Sequence, residues 1–347
     1  MRVRPPLCSA FVAAVLTAAC HPSLHAQQPA ASVPAVNPAD REAVRALYRD
    51  HYLASASVPP AWTGNVATGM PGAPGAAYRC ATLRRINYFR AMSGLPGNVS
   101  LDVAAGRKCQ QAALMMAAEG KISHQPSLFW RYYTLDAAEA AANSALALDT
   151  QADEGPGAID RYMADDGPTN ALVGHRRWLL YPGTTHTGLG IVPPWPGHHL
   201  GANATWVCND DASRTPAGRA AVAWPPAGYV PAPLVYTRWS FSYPDADFSR
   251  ATVSVTKQDQ PLVVSLEPLG YQSRPDGSGT SAGNNTLAWT LPGNTVGRSA
   301  DERYVVCVDN VFIAGGARRF TYPVTSIPAD ASNAWDANTL AAPRRVR

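Results

Sequence analysis

Apolar positions change period once along this chain. From Pro38 to Ala164 they recur every three or four residues, and beyond residue 222 they alternate. The first spacing marks helices packed along one face, the second half-buried strands. Val44, Leu47, Tyr48, Tyr52 and Leu53 predict a helix that Asp40 can cap. Residues 57–77 are rich in Pro and Gly, with Trp62 as their only large anchor. Leu83, Ile86, Phe89 and Met92 predict a second helix over 78–93, stopped by Gly94 and Pro96. A third covers 101–118, with Asp102 at its start and Gly120 past its end. The Ala-rich run 135–148 predicts a fourth helix, and 156–164 a short one ending at Asp165.

Strand signals follow. Trp178, Leu179 and Leu180 read as the end of a buried strand, 186–192 as a short strand between turns, and 204–209 as a closing strand. The polar, small-residue run 211–218 marks a domain boundary. Beyond it, β runs at 235–243, 251–256, 262–266, 286–291, 304–311 and 320–327 are separated by Gly, Pro and Asn turns. They predict a sandwich of immunoglobulin type, although the Cys…Trp…Cys core signature is missing.

A length of 347 residues also favours two domains. Residues 1–26 read as an export signal: Arg2 and Arg4, an apolar run from Leu7 to Ala19, then small residues. That run is too short to span a bilayer. Cleavage after Ala26 gives a soluble secreted or periplasmic protein, the favoured reading. Processing at Cys20, after Leu16-Thr-Ala-Ala19, gives a membrane-anchored lipoprotein instead. The organisation is then a signal (1–26), a linker (27–37), a first domain (38–212), a second linker (213–221), a β-sandwich (222–327) and a tail (328–347). Taking Arg2 and Arg4 off the formal charge of +4 leaves +2, which is no footprint for nucleic acid. Past Cys20 the cysteines are Cys80, Cys109, Cys208 and Cys307, an even set that predicts disulfides in an exported chain. Cys80 and Cys109 fall on helices expected to pack together, and a bridge there is worth ~3–4 kcal/mol. No Cys-x-x-Cys pair offers a zinc ribbon.

Candidate chemistry concentrates in Asp165-Asp166-Gly-Pro-Thr-Asn170-Ala-Leu-Val-Gly174-His175-Arg-Arg-Trp178. A histidine behind a glycine, among carboxylates and an amide, is either a ligand or acid–base group, or a structural histidine in a turn. Other signals are weaker. Ser281 sits in a Gly-x-Ser-x-Gly string but in a Gly/Ser loop with no helix after it, so no nucleophile elbow forms. His198-His199 reads as an exposed loop pair, and His-Glu-x-x-His and phosphate-loop motifs are absent.

Four strings in order carry a resemblance: Leu83-Arg-Arg-Ile-Asn87-Tyr-Phe-Arg90-Ala-Met-Ser-Gly94-Leu-Pro96, Ile122-Ser-His124, Gly174-His175-Arg-Arg-Trp178 and Gly188-Leu-Gly190. Over residues 41–210 the chain resembles a bacterial branch of the CAP superfamily (cysteine-rich secretory, antigen 5 and pathogenesis-related 1 proteins). The resemblance implies an α+β protein, with an α/β/α sandwich ahead of the immunoglobulin-like β domain. Arg176, Arg177 and Trp178 replace the last three residues of the family's Gly-His-Tyr-Thr-Gln signature.

By resemblance, His124 and His175 face one cleft, where some members bind a divalent metal with two glutamates. Both glutamate positions depart here. Ala141-Ala142-Asn143 stands where the family has Gly-Glu-Asn, and the other position falls on Asp165, or on Asp166 one residue along. An aspartate is one methylene shorter and suits orienting a histidine. The implied metal set is therefore His124, His175 and Asp165, for zinc (at about 2.0–2.1 Å from imidazole nitrogen) or another divalent ion. Asn143 and Asn170 are the amides assigned to a ligand. Glu139 could stand in for the lost base, and Ser144 has no base to activate it. Asn87 and Arg90, beside the apolar stripe of their helix, read as partners of loop backbone.

These implications favour a non-enzymatic exported binding module, whose partner is a small molecule, a lipid, a cell-envelope component or another envelope protein. One alternative is a metal-dependent hydrolase, a protease or esterase, using His124, His175 and Asp165. The other is a structural or adhesive envelope protein.

Overall fold

A computed structural model describes residues 31–149, 154–194, 200–208, 221–270 and 283–329. The export signal, Cys20, the 211–218 boundary, His198-His199, Ser281 and nearly all of the tail lie outside the described residues.

The first half opens with α1 (Arg41–Leu47), whose N-cap Asp40 accepts from the amides of Glu42 and Ala43. α2 (Ala76–Met92) and β1 (Ser100–Leu101) follow. Asp102 caps α3 (Val103–Glu119) on the amides of Ala104 and Ala105, and Gly120 ends it at φ 71°. Then come α4 (Leu135–Asn143), β2 (Ser144–Asp149), α5 (Pro156–Ala164), α6 (Gly174–Leu179), β3 (His186–Thr187), β4 (Leu189–Val192) and β5 (Gly201–Trp206). The sheet runs β2-β5-β4, antiparallel throughout. Along β2, Ala145 and Ala147 join the core that holds α2 and α5, while Leu146 and Leu148 join the one that holds α3 and α4. A sheet with helices on both faces is the expected α/β/α sandwich.

Two elements differ from expectation. The helix expected over 135–148 stops at Asn143, because from Ser144 the small and large residues alternate and pair with β5. The strand expected at Trp178-Leu179-Leu180 is the end of α6, entered through Val173 at φ 46°. The first linker is also partly packed. Val33 is buried and donates its amide to Gly97 O at 2.8 Å.

Gly188 and Gly190 explain their own motif. A Cβ on Gly190 would lie 2.0 Å from the Cys109 carbonyl oxygen, and one on Gly188 2.6 Å from the Ala105 carbonyl carbon. α3 thus rests directly on β4. Gln110 then closes the free edge of β4 as a strand would: Ile191 N donates to Oε1, and Nε2 donates to Ile191 O, both at 2.9 Å.

No bridge joins Cys80 to Cys109. The expectation fails because α2 and α3 occupy opposite layers of the sandwich. Cys109 faces β2, its sulfur 3.6 Å from Ser144 Oγ, whereas Cys80 lines a groove between the two helices.

The second half comprises β6 (Val222–Trp224), β7 (Gly228–Pro231), β8 (Arg238–Tyr243), β9 (Thr252–Lys257), β10 (Gln260–Pro261), β11 (Ser265–Leu266), β12 (Asn285–Thr290), β13 (Glu302–Ile313) and β14 (Gly316–Ile327). The sheets run β6-β8-β12-β11 and β7-β14-β13-β9-β10. In strand letters these are A-B-E-D and A′-G-F-C-C′, the immunoglobulin arrangement. Trp239, Trp289 and Tyr304 fill the space between the sheets, with Trp239 5.3 Å edge-on to Tyr304. Edge-on and tilted aromatics take the place of the missing inter-sheet disulfide.

One apolar core continues from α2 into the β-sandwich, with Phe89 5.1 Å edge-on to Trp224. Trp224→Ala is expected to cost about 3–5 kcal/mol and to shift one common unfolding transition, read by urea denaturation with probes in both halves. Protease cleavage within 211–218 is expected to leave two fragments that still co-elute on gel filtration. Gly190→Ala forces α3 off β4 and is expected to cost about 3 kcal/mol in the same denaturation assay.

Candidate functional site

α5 ends on Asp165, a non-glycine residue at φ 48°, ψ 42°, which turns the chain back beneath α6. Its side chain is fully buried, a state tolerated only where both oxygens find donors. They do: His175 Nδ1 donates to Oδ1 at 2.6 Å, and the Arg176 amide donates to Oδ2 at 3.0 Å. The main-chain oxygen of Asp165 accepts from the Arg238 guanidinium. Because a carboxylate only accepts, His175 carries its proton on Nδ1 and presents Nε2. The imidazole stacks on Tyr162 at 4.9 Å, with 25% of its side chain exposed. Tyr162 is held in turn by its hydroxyl, which donates to Asn203 Oδ1 on β5 at 2.9 Å. Burial, with the Glu154 carboxylate adding to it, raises the Tyr162 phenol well above its ordinary value, so it acts as a fixed donor.

The arginines after His175 hold the seam with the β domain. Arg176 is buried: Nε donates to Met163 O at 2.6 Å, Nη2 to Ala164 O at 3.0 Å, and Nη1 crosses to Ser240 Oγ on β8 at 3.1 Å. Burial lowers its pKa to about 10, still a cation at neutral pH. Arg177 donates to Gly270 O at 2.9 Å and Asn284 O at 3.0 Å. Arg238 answers from β8, bonding Gly167 O at 3.2 Å and Glu267 Oε1 at 2.8 Å besides Asp165. Spacing could not have found the contacts that cross the seam, since Arg176 to Ser240, Arg177 to Gly270 and Asn284, and Arg238 to Asp165 and Gly167 each join residues more than sixty positions apart.

His124 is seated on the last turn of α4, its Nδ1 donating to Ala141 O at 2.7 Å. Like His175 it keeps Nε2 for a partner. Its loop runs on into a hydrogen-bonded turn that leaves Leu128 69% and Phe129 90% exposed. Asn143 Nδ2 donates to Glu139 O and Asn170 Nδ2 to Asp166 O, each at 2.8 Å, so both amides serve their own turns. Asp166 accepts from the Thr237 hydroxyl at 3.0 Å, which leaves Asp165 as the carboxylate on His175. Glu139 pairs with Lys108 at 2.7 Å, and Ser144 is buried against Cys109. Asn87 and Arg90 do bind loop backbone: Asn87 at Ala31 and Val99, Arg90 at Pro96, Leu179, Tyr181 and Thr184.

Asp165 and His175 are therefore brought together, and His124 is fixed on α4. Among the described residues, no three His, Cys, Asp or Glu side chains form a group that could hold a metal. The two histidines fit a divalent ion only in part. Each offers Nε2 with Nδ1 anchored on an oxygen, the usual presentation of a ligating imidazole, but Asp165 is already committed.

Residues 83–209 match the family model described as the Cysteine-rich secretory protein family, CAP. No curated protein matches the chain. Among the described residues no helix is long and apolar enough to cross a membrane.

Arg176→Met is expected to cost at least about 3 kcal/mol, because it strands the acceptors of Met163, Ala164 and Ser240. Arg176→Lys should recover little, since an ammonium lacks the planar fork. Chemical denaturation of both variants checks the order.

Proposed function

We propose, from the premise that residues 83–209 are a CAP domain of the cysteine-rich secretory protein family, that this chain is an exported, non-enzymatic binding module. Such domains are in general extracellular-type binding modules. His175 and the His124 loop form the recognition surface, and a small molecule, lipid or envelope component is the ligand. The exposed Leu128 and Phe129 beside His124 suit an apolar partner.

The observation that carries this reading is the double commitment of Asp165 to His175 and the Arg176 amide. A hydrolase built on His124, His175 and Asp165 needs a carboxylate free to bind metal or take a proton. An Asp–His pair can also activate a nucleophile. Among the described residues, however, no hydroxyl or thiol hydrogen-bonds His175. The pair instead fixes an imidazole as an acceptor for a ligand donor, or as one ligand of a weakly held zinc ion that would use Nε2 of His175 and of His124.

Calorimetry with zinc tests the site. Wild type is expected to bind modestly at pH 7. His175→Ala should lower affinity about tenfold or more. Equal heats in both proteins would place the ion elsewhere. Turnover of peptide or ester substrates by wild type, abolished in a folded His175→Ala variant, would favour the hydrolase.

A further inference from the structure

One cavity of the described fold has no lining from His124, His175 or Asp165. It occupies about 800 Å³ between α2 and α3, where the two helical layers part beside the edge of β4. That volume falls within the roughly 300–1,000 Å³ of small-molecule sites. Cys80 and Leu83 of α2, Leu101, Val103 at the start of α3 and Leu189 of β4 make its apolar wall, with Pro71 and Pro74 at the lip. Val103 is 67% exposed, an apolar side chain that the fold leaves open. The floor is already satisfied, since Gln110 is spent on Ile191 and on Pro71 O.

Charge in this groove has one sign to spare. Arg79 comes from α2 and Arg107 from α3. Arg79 donates to the Pro74 carbonyl, and neither arginine forms an ion pair among the described residues. The one carboxylate of the lining, Asp102, already accepts the amides of Ala104 and Ala105 at 2.7 and 2.9 Å as the cap of α3. Two guanidinium groups against one carboxylate leave the groove net positive beside its apolar wall, which selects a ligand that has an apolar body and an anionic head.

We propose that the groove between α2 and α3 is a second binding site, for an anionic small molecule with an apolar body. It is independent of the histidine surface. Gly106 supplies a clean block. A Cβ there meets only Leu189 backbone at 3.7 Å, ordinary contact, so the helix position accepts a Cβ and a longer side chain adds bulk at the groove wall.

Titration of the full chain with 8-anilino-1-naphthalenesulfonate, followed by fluorescence, tests the site against the uncharged probe N-phenyl-1-naphthylamine. Wild type should bind both, the sulfonate more tightly. Arg107→Glu, a change at an exposed residue, should weaken the sulfonate about tenfold and the neutral probe less than about twofold. Gly106→Leu should weaken both about tenfold or more, and His175→Ala neither. No sulfonate binding by wild type would overturn the proposal. Unchanged sulfonate affinity in Arg107→Glu, equal loss of both probes in that variant, or wild-type binding of both by folded Gly106→Leu would do the same.

Discussion

Asp165 and Arg176 place a carboxylate and a guanidinium out of water within one short stretch of chain, and burial of that kind is stable only if each polar atom is matched. Their mutual contact is a single bond, from the Arg176 amide to Asp165 Oδ2. The rest must come from elsewhere: His175 on one carboxylate oxygen, the carbonyls at the end of α5, and Ser240 and Arg238 from the β-sandwich. The geometry of His175 and the docking of the second domain are thus one constraint. Arg176 and Arg177, directly after His175, are the residues that reach the β-sandwich. The same device recurs nearby. Arg85, on α2, is buried with Asp160 of α5 and also bonds Ser55 Oγ and Tyr52 O. Polar pairing tends to specify one arrangement where apolar packing alone tolerates several, and both seams use it.

The layers around the small sheet answer a different requirement. With only three strands, the sheet has an exposed edge at β4, and an unpaired edge invites pairing with another chain. Gln110 and the approach of α3 over Gly188 and Gly190 close that edge. Drawing α3 onto β4 also keeps it from α2. The groove between the helices, and the separation of Cys80 from Cys109, follow from that one packing choice.

The sequence by itself determined what depends on neighbours close in the chain. Asp40 and Asp102 announced their helices because a cap bonds amides two and three residues on. The alternating runs beyond residue 222 announced the β-sandwich because a strand half buried repeats every second side chain. Tertiary structure decided the rest. Ser144–Asp149 reads as helix by its Ala and Leu content, and becomes a strand only because β5 lies beside it. β6 and β7, short and broken by proline, carry too few alternations to register before their partners β8 and β14 are known. His175 was legible as a candidate from its glycine and neighbouring carboxylates, while the resemblance left its orienting carboxylate open between Asp165 and Asp166 until the fold placed Asp165 on it. The supports of that pair were not legible: Tyr162 through Asn203, and Arg238 across the domain seam, act over sequence separations at which no local pattern carries information. A carboxylate and an imidazole can be read from the chain. Which of them is buried, and what holds it there, is set only when distant segments meet.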